Sequence, residues 1–97
     1  MSDRSDVREE ASRTVSVRIP SEARHGIYAN VSLVSHSGHE FTIDFCQTEP
    51  SSMSDPIPAY VVSRLHLPPT LIPSLISALQ GNVNAYQQQF GPIVDVR

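Results

Sequence analysis

Any chemistry this chain performs has few residues to draw on. The densest polar group lies in VSHSGHEFTIDF, Val34–Phe45, where His36 and His39 stand three apart with Glu40 and Asp44 close behind. Such a set admits a metal site, a pair of catalytic acids, or a polar hairpin turn. Zinc needs three or four convergent ligands, and the remaining histidines, His25 and His66, lie elsewhere in the chain. Two histidines in a turn are usually turn residues, so no metal site is expected. Cys46 is the only cysteine. It has no internal disulfide partner, no CxxC neighbour and no histidine close in sequence to activate it. No Ser-His-Asp arrangement, glycine-rich phosphate loop or paired-acid motif occurs. No catalytic residue and no cofactor is expected.

The elements that position these residues follow from periodicity. Residues 1–13 are polar and charged, with Val7 the one strong apolar residue. They are expected to be a flexible tail ahead of a single domain, 14–97. TVSVRIP, Thr14–Pro20, alternates β-branched and polar residues as a half-buried strand does. Further strands are predicted over Ile27–Ser35, His39–Thr48 and Ala59–Leu67, with an exposed loop over Glu49–Pro58. The period then changes. Leu71, Ile72, Leu75, Ile76, Leu79, Val83, Tyr86 and Phe90 recur every three or four residues. That spacing predicts an amphipathic helix of about 20 residues, capped by Thr70, weakened at Gly81 and stopped by Gly91-Pro92.

The hairpin across SHSGH sets which side chains share a face. If the odd residues of both strands face the core, a three-residue loop His36-Ser37-Gly38 is required, with Gly38 left-handed. Leu33 then meets Phe41, Val31 meets Ile43 and Ala29 meets Phe45. On the even face Asn30 falls opposite Asp44 and Tyr28 opposite Cys46. The last strand adds Tyr60, Arg64 and His66 with the same parity. Tyr28, Asn30, Asp44, Tyr60 and Arg64 form the candidate interaction face. It reads as a hydrogen-bonded network on an open sheet face or at a subunit contact, with an acid–base site as the alternative.

Composition restricts the partners. The net charge is -3, and all seven cationic residues are arginine, three of them in the first 13 residues. Nucleic-acid binding needs clustered cations, so no nucleic-acid partner is expected. No apolar run approaches the roughly 20 residues that span a bilayer, and the polar N-terminus is not a signal peptide. A reducing cytoplasm fits the single thiol.

The order of YAN (Tyr28–Asn30), EFTIDF (Glu40–Phe45), SRLHLPP (Ser63–Pro69), leucines 75 and 79, and NVNAYQQQFG (Asn82–Gly91) resembles a small prokaryotic family, domain of unknown function 3467. The resemblance covers about residues 28–91. That family usually opens its helix with Ser-Pro and carries a lysine in the first turn, where this chain has Pro68-Pro69 and Pro73. The resemblance implies a cytoplasmic accessory protein of about 100 residues and carries no functional residue with it.

The expected fold is α+β: a four-stranded antiparallel sheet with one long C-terminal helix packed on its apolar face. The expected role is non-enzymatic, a homodimeric interaction or scaffold module that pairs with itself and with other proteins. Some 84 residues without disulfide or metal form a marginal domain, which pairing would stabilise. In such a dimer Arg64 of one chain would reach Asp44 of the other. One alternative is a peptide- or client-binding module, since four strands and then a long helix is similar in order to SecB-type export chaperones. The other is a small enzyme using the Asn30, Asp44 and Arg64 face.

Overall fold

A computed structural model describes residues 5–10, 13–49 and 53–95. Five strands and one helix follow in the order β1 (Ser5–Glu10), β2 (Arg13–Arg18), β3 (Val31–His36), β4 (Phe41–Thr48), β5 (Ala59–Leu67) and α1 (Ile72–Phe90). The architecture is α+β. The four-stranded sheet expected from the sequence is instead a three-stranded antiparallel sheet, β3-β4-β5, beside a separate two-stranded hairpin, β1-β2.

Residues 5–10, expected to lie in a flexible tail, form the first strand of this hairpin. Its register pairs Asp6 with Val17 and Arg8 with Val15. Residues 5–10 have little intrinsic strand preference, but the β-branched alternation of β2 offers a ladder close in sequence, and closing so short a loop costs little. The strand predicted over Thr14–Pro20 is therefore satisfied locally and does not join the main sheet. The rest of the expected tail, residues 1–4 and 11–12, lies outside the described residues.

Between β3 and β4 the register also differs from the parity expectation. Leu33 pairs with Asp44, Val34 with Ile43 and His36 with Phe41, so Val31 and Phe41 lie on opposite faces. The cause is the turn. His36 is the last residue of β3, and the loop has four residues, Ser37–Glu40. The Ser37 hydroxyl accepts the amides of His39 at 3.1 Å and Glu40 at 3.3 Å, and the Ser37 amide donates to the Glu40 carbonyl at 2.9 Å. A serine-closed turn of this kind removes the need for a left-handed glycine. The glycines with positive φ are Gly26 and Gly91, not Gly38.

Directly opposed residues share a face, so the rows of the sheet follow from the register. One face carries Ser35-Thr42-His66, Leu33-Asp44-Arg64 and Val31-Cys46-Val61. The other carries His36-Phe41-Leu67, Val34-Ile43-Leu65 and Ser32-Phe45-Ser63. The first is the polar face and the second the apolar face. A β-bulge interrupts β5: Phe45 pairs with Ser63 but Cys46 pairs with Val61, which leaves Val62 without a partner.

α1 spans 19 residues, close to the predicted length. It is not capped by Thr70. A 3-10 turn, Pro69–Leu71, leads straight into it, and Ser74 Oγ donates to the Leu71 carbonyl at 2.9 Å. The helix ends at Gly91, whose φ of 96° and amide bond to the Gln87 carbonyl close the last turn. Residues 93–95 form no regular element.

The expected packing of the helix on the sheet's apolar face is not seen. The main contact of α1 is with the 3-10 turn before it, and no strand packs broadly against it. Among the described residues Cys46 is the one buried hydrophobic. Val34, Leu65, Ile76, Leu79 and Phe90 all remain 42–66 % exposed. The accessible surface is 8583 Å², against about 5,500 Å² for a compact chain of this mass. The radius of gyration is 16.6 Å, against about 12.5 Å for a compact domain of this length.

Candidate functional site

Asp44 and Arg64 form the centre of the polar face. β4 and β5 place them directly opposite each other. Arg64 Nε donates to Asp44 Oδ1 at 2.6 Å and Nη2 to Oδ2 at 2.9 Å. Both carboxylate oxygens are engaged, in the fork geometry that suits guanidinium to carboxylate. The hydrogen bonds from Arg64 hold the Asp44 carboxyl below its ordinary value of 3.8, against an opposing effect of desolvation. The charges of Arg64 and His66 add to the lowering. Asp44 in turn holds Arg64 more firmly protonated.

Next along the same face, His66 Nδ1 lies 3.1 Å from Thr42 Oγ1 and 3.5 Å from Glu40 Oε2. Leu33 flanks Asp44 on the other side. The face thus joins an ion pair and a His-Thr-Glu cluster to an apolar end formed by Val31, Leu33 and Val61. Thr42 and Leu33 were not among the expected face residues. Alternation from Asp44 along β4 already places Thr42, and recognising Ser37 as the closing residue of a four-residue turn would have placed Leu33.

The five expected face residues separate in the structure. Asp44 and Arg64 meet. Asn30 does not face Asp44. Its amide donates to the Cys46 carbonyl at 2.9 Å, its Oδ1 accepts the Thr48 amide at 3.0 Å, and its Nδ2 donates to Thr48 Oγ1 at 3.2 Å. Asn30 therefore continues the ladder beyond the start of β3 and fastens the end of β4. Tyr28 lies outside any strand in the connection before β3 and is 69 % exposed, so it has no place opposite Cys46. Tyr60 pairs with Gln47 on the apolar face, because the bulge at Val62 reverses the alternation of β5. The expected reach of Arg64 to a second chain's Asp44 is replaced by pairing within one chain.

The histidine pair of the turn also separates. His36 packs its ring on Phe41, centroids 5.7 Å apart, while His39 stays in the loop. Among the described residues no group of three or more His, Cys, Asp or Glu side chains is placed to hold a metal ion. Two open depressions flank the bulge, one of about 360 Å³ lined by Ile27, Ala29, Phe45, Val62 and Ser63, the other by Ala29, Asn30, Val31, Ser32 and Phe45. Among the described residues no helix is long and apolar enough to cross a membrane.

No curated protein and no solved structure matches this chain. The family described as "Protein of unknown function (DUF3467)" matches residues 1–95.

Proposed function

The chain belongs to the family DUF3467, and for it we propose a non-enzymatic role as a homo-oligomeric interaction or scaffold module, most simply a homodimer. One observation carries this reading: the chain exposes about 3,000 Å² more than a compact monomer of its mass. Counted on both chains of a dimer that excess is about 6,000 Å², the upper end of obligate interfaces, and Val34, Leu65, Ile76, Leu79 and Phe90 of the sheet and the helix are among the exposed apolar residues. The proposed setting is the reducing cytoplasm, where Cys46, a buried free thiol, stays unpaired. A role as general base does not suit Asp44, since Arg64 occupies both its oxygens. Sedimentation at micromolar concentration tests the proposal. A mass of twice 10.7 kDa is expected, and a monomer of 10.7 kDa refutes it.

The open depression beside the bulge favours a second reading, a peptide-binding module. Ile27 and Phe45 line it without charge, which suits one apolar side chain of a bound segment. Saturable binding of unfolded peptides by the intact oligomer would support it.

A further inference from the structure

The chain has two apolar surfaces that do not cover each other. One is the sheet face of Val34, Phe41, Ile43, Phe45, Leu65 and Leu67. The other is a seam on α1. Ile72, Ile76, Leu79, Val83, Tyr86 and Phe90 follow at intervals of 4, 3, 4, 3 and 4 residues, the spacing that keeps side chains on one narrow stripe. The rings of Tyr86 and Phe90 already meet along it in a tilted contact, centroids 5.0 Å apart.

The two surfaces match in three respects. In length, 19 helical residues rise about 28 Å, and the apolar face runs along β5 from Leu67 to Tyr60, about 24 Å. In charge, Ile72–Phe90 contains no Asp, Glu, Lys or Arg, and the paired rows of the apolar face contain none either. The sheet's ion pair, Asp44 with Arg64, lies on the opposite side. In need, each surface gains little from its own chain.

The connection between them explains why. Pro68 sits at φ -66° and ψ 145°, Pro69 follows, and the Leu71 amide bonds to the Pro68 carbonyl at 3.0 Å. Two adjacent rings fix φ, and the 3-10 turn passes into α1 without a flexible residue between. The direction in which α1 leaves β5 is set by this stiff corner. A short connection that carries an element away from its own chain's surface favours exchange of that element between identical chains.

Building on the homodimer reading, we propose that α1 of each copy lies along the apolar sheet face of a second copy, the two helices being exchanged about a two-fold axis. Each copy then buries both of its exposed surfaces in one symmetric contact, which a helix-to-helix seam alone would not do because it leaves the sheet open.

The test uses the wild-type chain. Copies with 13C-labelled methyl groups are unfolded with unlabelled copies, refolded together, and read by isotope-filtered NMR, with the mass measured on the same sample. Contacts between copies are expected from Leu79 and Val83 of α1 to Ile43 and Leu65 of the sheet. A dimer whose contacts between copies run only from seam to seam, or only through strand edges, overturns the exchange and leaves the homodimer standing. Helix-to-sheet contacts found only within one copy overturn it likewise. A monomer overturns both.

Discussion

Arg64 and Asp44 are register partners joined by two parallel hydrogen bonds, with donor–acceptor distances of 2.9 and 2.6 Å. Because the folded chain holds this carboxyl below its ordinary 3.8, the unfolded chain binds protons first as acid is added. The contribution of the pair to stability is complete above the ordinary value. It declines as pH falls and is gone below the depressed one. Urea unfolding followed from about pH 7 to about pH 2 is expected to show a steeper acid loss for the wild type than for Asp44→Asn. Equal slopes would show that the pair is uncoupled from folding.

Three glycines are expected to give three different results with alanine. Gly91 sits at φ 96°, so Gly91→Ala should destabilise by about 1 kcal/mol or more. Gly81 lies mid-helix, opposite the apolar seam, with open space where a Cβ would go. Gly81→Ala should stabilise by up to about 1 kcal/mol without changing the oligomer. Gly38 has neither positive φ nor a close neighbour, and Gly38→Ala should fall within about 0.5 kcal/mol of the wild type. Denaturant midpoints decide all three, and a large loss at Gly38 would contradict the serine-closed turn.

Asn30 holds the Thr48 amide through Oδ1. Asn30→Ala should speed hydrogen exchange at Thr48, while Asn30→Asp, which keeps an acceptor there, should preserve most of the protection. Unchanged exchange in the alanine variant would mean that the end of β4 is held by other contacts.

Arg64 is committed to its own chain, so Arg64→Ala is expected to leave the sedimenting mass unchanged. Leu79 is 59 % exposed on the apolar seam, and Leu79→Asp is expected to lower that mass. The opposite pattern would move the contact to the polar face.

The sequence was most legible where one physical signal acted alone. The span Ala59–Leu67 was read without error because Pro58 and Pro68 bound it. The end of α1 was plain from Gly91-Pro92. The common face of Phe41, Ile43 and Phe45 follows from simple alternation. Legibility failed where a single residue shifts a phase. Ser37 closes the turn with its hydroxyl and so changes the loop length, which sent Asn30 and Tyr28 away from their expected partners. Val62, inserted without a partner, turned Tyr60 to the other side. The β1-β2 hairpin was missed because residues 5–10 carry no strand pattern and take theirs from β2.

That unpaired Val62 has a bearing on solubility. β5 is the outer strand of its sheet, and a straight outer strand nine residues long is a template on which further chains can stack. A bulge bends and over-twists the strand that carries it. Removing Val62 would leave every row of the sheet facing as before, since Ser63 and Val61 already sit on alternate sides. It would, however, straighten the rim. Deleting Val62 is therefore expected to keep the pairing of the sheet and to raise the tendency to form fibrils, which fibril-dye fluorescence against the wild type would read.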